Sequence, residues 1–468
     1  MQNLRPWRRS SLGALLWLIV TLALVGCMSA PKPVIVADYA PDAAMNTQAD
    51  ASGLPQDDAA WWQVFNDALL SDLVKHALHD NLDLQAAQQR LLAERSLSLQ
   101  VGKNYMPQVG WLSQSVTSAS GIDTFYQYGF DVSWELGWFG REDSEKLMAQ
   151  SALMDSSARL HAIRVTLVGD VVRAYLQLRQ AQQAARLQTE LAHLIEQRQT
   201  LKQTGARLGL LSRQAAEHDL QPLNAVKIQQ QHWQTEVELA SRRLALLCGL
   251  TQPQASWLQT HDLHLPRHYP IARLPVKLLD AQPLVQQARA QLLHSAARAG
   301  LARADRYPSI SLGAGYFYAS NITRNIVFDG DTNSAPSIGP VINIPIFDWG
   351  RRRHIEKARQ MEMDAAGQDY RQQVRKAYAE VEENLLQLHQ LETTIALQDQ
   401  STSLAAEDLN RARARVEQGL SGQLPVIATQ EQEVQTQEQL LAAEMDAALA
   451  YVSLYKSLGG PDEHGSID

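Results

Sequence analysis

The chain is short of cysteine, of aromatic residues, of surplus positive charge and of long apolar runs, and each shortage removes a class of protein. Its 468 residues hold two cysteines, Cys27 and Cys248. Cys27 closes an N-terminal targeting segment, so Cys248 stands alone in the remainder and no intramolecular disulfide can form. Aromatics are 6% of the residues while Ala and Gln are abundant, a balance that favours long helices over a β-sandwich. With 42 Lys and Arg against 50 Asp and Glu the net charge is −8, and no basic stripe stands out to hold nucleic acid. No Gly-x-Ser-x-Gly, no His-Glu-x-x-His and no Ser-x-x-Lys placed for catalysis is found, so no catalytic residue is assigned. His261, His264 and His268 lie close together, but their spacing fits no finger and prolines interrupt them. They read as a surface loop, and no metal site is expected.

What is present begins with a targeting segment. Arg5, Arg8 and Arg9 precede an apolar run from Leu12 to Val25. A membrane-spanning helix needs about 20 such residues, and this shorter run suits a signal peptide. Leu24-Val-Gly-Cys27 fits a lipobox, with Cys27 acylated as the mature N-terminus; those acyl chains are the only expected non-protein group. Residue 28 is Met rather than Asp, which predicts delivery to the outer membrane. Cys248 sits among Leu246, Leu247 and Leu250 and reads as a buried structural thiol.

The rest of the chain makes nearly the same statement twice. A helical run ending in Tyr105-Met-Pro107 leads into strand-like residues, closes on Trp134-Glu-Leu-Gly-Trp-Phe-Gly-Arg141, and continues as a long helix. About two hundred residues later come Tyr307-Pro308, more strand-like residues, Ile344-Pro-Ile-Phe-Asp-Trp-Gly-Arg351 and another long helix. The resulting division is a signal peptide over 1–26, a tether over 27–60, a first repeat over 61–250, a connector over 251–280, a second repeat over 281–458 and a tail over 459–468. Each repeat reads helix–strand–strand–helix–turn–helix. The strands are expected at about 109–116, 125–136, 309–319 and 337–346.

Apolar residues recur every three or four positions in the long helices, as at Leu167, Val171, Ala174 and Leu178, then at Val374, Tyr378, Val381, Leu385 and Leu388. Such length without breakers predicts coiled-coil packing. Gly209 with Ser212, and Gly419 with Pro425, mark the two reversals. The strands are near the length that a tilted membrane strand needs, with aromatics at their ends. Four strands cannot close a barrel, and lipid does not tolerate open edges. If these strands enter a bilayer the chain has to oligomerise: a dimer would give a plugged eight-strand barrel, while a trimer gives twelve strands with room for a lumen.

Three further patterns carry a family resemblance. Trp61-Trp62-x-x-Phe65, followed by Leu73, Ala77, Asn81-Leu-Asp-Leu84 and Arg90, resembles the opening signature of the TolC-like outer-membrane efflux factors, in their acylated nodulation-protein T-type branch. Pro345-Ile-Phe-Asp348-Trp-Gly350-Arg351 is similar to that branch's second strand-to-helix junction, and Arg411 through Gly419 to its helical-hairpin tip. The resemblance implies a mainly α fold with a β-barrel membrane part: a homotrimer with a twelve-stranded barrel in outer-membrane lipid, continued by a long α-helical periplasmic barrel. It implies passive export of drugs or other solutes, with a periplasmic adaptor and an inner-membrane pump as partners. Arg207, Gly209, Ser212, Arg411, Arg415, Gly419 and Pro425 are then the expected docking residues. Family members often carry acidic gating residues where this chain has Pro425 and Ala428, so Arg213, Glu217 and Asp219 at the first tip are the remaining candidates for an ionic gate. A solvated helix face is the plainer reading of those three. A periplasmic coiled-coil lipoprotein without a pore is the alternative for the whole chain.

Overall fold

The computed structural model describes residues 58–117, 124–212, 220–259, 265–269, 282–321 and 333–460. The chain divides into two compact units. Among the described residues one takes 89–157 and 286–372, and the other takes 58–88, 158–285 and 373–460.

The first unit is built around a four-stranded antiparallel sheet. Its strands are β1 (Gln108–Thr117), β2 (Thr124–Glu135), β3 (Ser309–Asn321) and β4 (Asn333–Asn343), paired in the order β1-β2-β3-β4. The middle pairing joins the two repeats, with Phe125 opposite Asn321 and Glu135 opposite Ser311. The last strand begins and ends earlier than the expected 337–346. Its partner sets the end: β3 starts at Ser309, directly after Pro308, and Ser309 lies opposite Asn343. Residues beyond Asn343 therefore have no strand to pair with.

The second unit is helical. After a 3-10 stretch over Asp58–Phe65 come α1 (Ala68–Asp80) and α2 (Leu82–Val101), then α3 (Arg141–Arg207), α4 (Leu220–Leu247), α5 (Pro283–Ala304), α6 (Arg351–Glu417) and α7 (Gln423–Leu458), several of which begin or end in the other unit. The expected single helix over 69–101 is two helices. Asn81 leaves the helical conformation at ψ 122°. Its side-chain oxygen accepts the Leu84 N–H at 3.0 Å, and its amide donates to the Leu247 carbonyl at the end of α4, 3.1 Å away.

Aromatic packing fills the core beside that break. Trp61 stacks on Tyr455 at 4.8 Å, and Phe65 and Tyr269 both pack on Tyr451. Tyr175 is fully buried and donates its hydroxyl to Asp67, whose other carboxylate oxygen caps α1 through the Leu69 and Leu70 N–H groups. Arg179 is buried too, donating to the Tyr175 hydroxyl at 3.0 Å and to the Gln259 carbonyl at 2.8 Å. Most of the opening signature, from Trp61 through Leu84, is thus core and capping. Cys248 is buried as well, its thiol pushed up to about 11 by burial.

Along the helical hairpins the packing follows a seven-residue period. In α6, Val381, Leu388, Ile395, Thr402 and Leu409 fall seven apart, four of them buried and Thr402 bonded to its own helix. The inward position beside Val381 is Ala377 rather than the expected Tyr378, which is half-buried and donates to Glu382 at 2.7 Å. A seven-residue repeat is that of a left-handed coiled coil. Leu187, Leu191 and Leu194 of α3 join Leu223 of α4 and Ile427, Val434 and Leu441 of α7 in one cluster. Polar bridges flank it: Gln188 donates to both Glu438 oxygens at 2.8 and 3.0 Å, and Arg198 pairs with Glu431.

Candidate functional site

The sheet has two chemically opposite faces. Side chains alternate along a strand, so paired residues share a face. One face carries Trp111 opposite Phe130, which lies opposite Tyr316, with Tyr128 opposite Tyr318 and Ile338 beside them on β4. These rings form a ladder. Trp111 meets Phe130 edge-on at 5.0 Å and Tyr128 stacks on Tyr318 at 5.6 Å. Ile338 on this face is 80% exposed within the chain. The other face carries Gln108, Gly110 and Gln114 of β1, Ser133, Asp131 and Gly129 of β2, Gly313 and Gly315 of β3, and Gly339 of β4. It is mostly polar and built from small residues, with Leu112 and Val341 as apolar exceptions. An apolar aromatic face outward and a polar face inward is the pattern of a membrane barrel wall.

A large ring, that of Phe317, interrupts the polar face. Phe317 lies opposite Gly129. A Cβ added at Gly315 would sit 2.2 Å from its ring, and one at Gly129 would sit 2.0 Å from the Tyr316 carbonyl oxygen and 2.9 Å from the ring. Gly315 makes room for the ring, and Gly129 for the backbone of the neighbouring strand as well. Gly313-Ala-Gly315 thus lies within a strand, and Gly315 serves aromatic packing.

The strand-to-helix junctions repeat each other in detail. Phe139 and Gly140 have φ of +60° and +81°, and Trp349 and Gly350 have +58° and +79°. The offset is 210 residues (349 minus 139), and it also carries Arg141 at the start of α3 to Arg351 at the start of α6. A bulky residue at positive φ is a strained conformation, and here the strain occurs at both equivalent places. Asp348 receives the Gly350 and Arg352 N–H groups at 3.1 Å each. Its carboxylate at the N-terminus of α6 offsets Arg351, Arg352 and Arg353, whose charges oppose the helix dipole.

The hairpin tips share the 210-residue offset. Gly209 and Gly419 have φ of +73° and +71°. The Gly209 N–H donates to Ala206 and the Leu210 N–H to Gly205, at 3.1 and 2.8 Å; the Gly419 N–H donates to Val416 and the Leu420 N–H to Arg415, both at 2.9 Å. This is the Schellman ending, in which the residue after the glycine usually rests on an apolar residue five positions back. Those positions are Gly205 and Arg415, so the leucines find no apolar partner there. Leu210 is 76% exposed and Leu420 is 68% exposed.

The fold has counterparts among known proteins. A sequence profile of the outer membrane efflux protein family matches residues 73–250 and 274–460. The chain belongs to the outer membrane efflux protein family. Among relatives of this efflux protein, the pyoverdine export outer membrane protein OpmQ of Pseudomonas putida is 28% identical, over 94% of this chain and 96% of that one. The cation efflux system protein CusC of Escherichia coli K12 is 26% identical, over 94% and 98%. The solved outer-membrane channel OprN superposes with a TM-score of 0.79 at 25% identity, covering 93% of this chain and 97% of that one. The Neisseria gonorrhoeae MtrE outer membrane channel, at 23% identity, shares the fold with a TM-score of 0.76, covering 93% and 98%.

The predicted site residues of this efflux protein fall in three groups. Arg207 ends α3 beside Gly209 and Ser212, and its guanidinium donates to Thr204 at 3.1 Å. Arg415, Gly419 and Pro425 gather at the second tip, with Pro425 exposed as the third residue of α7. Arg411 lies further back on α6, engaged by Asp408 and by Glu407 at 3.7 Å. Cys27, Arg213, Glu217 and Asp219 lie outside the described residues, as do His261 and His264. His268 sits 3.5 Å from Glu392, and no group of three metal-ligating side chains occurs among the described residues. Among those residues, too, no helix is long and apolar enough to cross a membrane. The exposed tip leucines were missed from sequence, although Gly-Leu after a helix with no apolar residue five positions earlier is a readable signal.

Proposed function

We propose that three copies of this outer-membrane efflux protein form one passive conduit, their strands closing a twelve-stranded barrel and their hairpins continuing it as an α-helical barrel. The observation that carries this is the sheet. It has two open edges among the described residues, one aromatic face suited to lipid and one polar face suited to a lumen. Open edges are not tolerated in lipid, four strands are too few to close, and eight leave little room inside. Acyl chains on Cys27 anchor each copy. The tips around Gly209 and Gly419, with Leu210 and Leu420 exposed, dock a periplasmic adaptor, and an inner-membrane pump supplies the energy. The named relatives carry pyoverdine in one case and cations in another. Conduits this similar serving such different solutes fit a division of labour in which the pump selects the cargo.

The direct test is accessibility. A cysteine at Asp329, between β3 and β4, is expected to react with a membrane-impermeant maleimide in intact cells. If it stays unlabelled while the protein fractionates with the outer membrane, the strands do not cross and the chain is a periplasmic scaffold.

A further inference from the structure

The two strand-to-helix junctions share a backbone and differ in charge. The 210-residue offset carries Arg141 to Arg351, but it also carries Glu142 to Arg352 and Asp143 to Arg353. The first repeat obeys the rule for a helix N-terminus, where acids are favoured. The second sets three guanidinium groups against the dipole of α6, with Asp348 as the carboxylate bonded to the backbone there. Helix stability does not select that arrangement, so its use lies in what the arginines face.

They face a cavity. Arg351 and Arg352 of α6 and Arg141 of α3 line a polar hollow of about 280 Å3 within the sheet-bearing unit, together with Asp305, Ser309 of β3 and Asn343 of β4. Arg141 is already engaged: Asp305 pairs with it and Glu135 lies 3.9 Å away. Arg306 nearby is taken up by Glu356. The side chains of Arg351 and Arg352 have no partner among the described residues, although Arg352 is half-buried. The offset also puts Pro345, which lines the same cavity, where the first repeat has Glu135. A carboxylate that answers arginine at the first junction thus has no counterpart at the second, and two guanidinium groups border open polar space.

The geometry points to this cavity as a binding site for an oxyanion, a carboxylate or phosphate group carried by a solute in the conduit. Guanidinium forks match both groups, donating two parallel N–H bonds to a pair of oxygens. Asp305 alone does not cancel three cations, so the site keeps a positive charge. A water molecule takes about 30 Å3 in the liquid, so the cavity admits such a group with several waters. A phospholipid headgroup offers the same chemistry, but the position favours a solute. Ser309 lies opposite Asn343 on the face that carries Gly313 and Gly339, which is the polar one. The proposal rests on the conduit reading for the source of the anion, while the binding itself does not need it.

The test is arginine protection. Full-length protein in detergent, freed of lipid, is treated with phenylglyoxal, which modifies guanidinium groups, and the modified positions are counted by peptide mass spectrometry. Inorganic phosphate is expected to slow modification of Arg351 and Arg352 severalfold while leaving the exposed tip residue Arg415 unchanged. Arg352→Glu copies Glu142 of the first repeat and suits a helix N-terminus. It is expected to fold and to remove the protection at Arg351, whereas Arg352→Lys should keep part of it. Equal protection of Arg351 in Arg352→Glu and the parent overturns the shared site. Protection by a short-chain phosphatidylglycerol but not by inorganic phosphate overturns the solute source and makes the cavity a headgroup site. No protection by either, in a protein that runs as a trimer on a native gel, overturns the site and leaves the conduit reading standing. Protection in a monomer supports the site and sinks the conduit. If Arg351 and Arg352 fail to react even without phosphate, the cavity is closed to solutes and the proposal falls.

Discussion

At the scale of single residues, the informative positions are those where a small side chain makes room for something else. Gly315 matters because the Phe317 ring occupies the space its Cβ would take, at 2.2 Å, and Gly129 because the neighbouring strand's backbone does so first, the Tyr316 carbonyl oxygen at 2.0 Å, with the Phe317 ring at 2.9 Å. In a conduit lined by that face, the ring lies along the wall only while position 315 stays small. Gly315→Ala is therefore expected to turn the ring into the lumen and lower single-channel conductance in planar bilayers, and Phe317→Ala in the same chain should restore it. Equal conductance for Gly315→Ala and the parent would show that the ring does not border the path. Part of this was legible: two glycines spaced by one residue in a strand signal a bend or a close approach. What approaches was not, because Gly129 and Phe317 are 188 positions apart (317 minus 129) and meet only through the pairing of β2 with β3. The tip glycines were easier. Gly209 and Gly419 each follow a long periodic run, and a left-handed residue at a helix end is a local requirement.

At the scale of elements, long helices were legible and their interruptions were not. A 67-residue helix announces itself through many turns of one apolar stripe, as α3 and α6 both do. The break between α1 and α2 hides, because leucines continue through it at 78, 82 and 84 and only Asn81 departs. Asn81 can leave the helix because its side chain replaces what the backbone loses: an acceptor for the Leu84 N–H and a donor to the Leu247 carbonyl. Removing a cap costs about 1 kcal/mol and removing a buried hydrogen bond about as much again. Asn81→Ala is thus expected to destabilise the helical unit by about 2 kcal/mol, seen as a lower thermal midpoint by circular dichroism in detergent. Asn81→Ser should recover the capping part alone, since serine accepts from the backbone but does not span to Leu247. If Ala and Ser behave alike, the cap carries nothing. The end of β4 was hidden for a related reason. It is set by Pro308, which precedes another strand, and no reading of residues 337–346 by themselves contains that information.

At the scale of the whole chain, the duplication is uneven in its strands and keeps one spacing from junction to tip and back. The segments between paired strands differ, six residues from 118 to 123 against eleven from 322 to 332. From junction to tip nothing differs: Phe139 to Gly209 and Trp349 to Gly419 each span 70 positions, and Gly249 and Gly459, both left-handed at the ends of the return helices, keep the 210-residue offset. Hairpins free to dock independently would have no reason to keep equal length. Two tips that engage one adaptor together would, because each heptad adds about 10 Å at 1.5 Å per residue. Seven residues inserted in α3 and seven in α4, at heptad-matched positions, preserve the packing period while moving one tip relative to the other. That protein is expected to fold and assemble yet to lose export, read as drug susceptibility in a strain whose only conduit it is. The same insertion repeated in α6 and α7 brings the tips level again and should recover part of the export. If the single-hairpin insertion exports as well as the parent, the tips do not act at one level, and the equal lengths reflect the duplication alone.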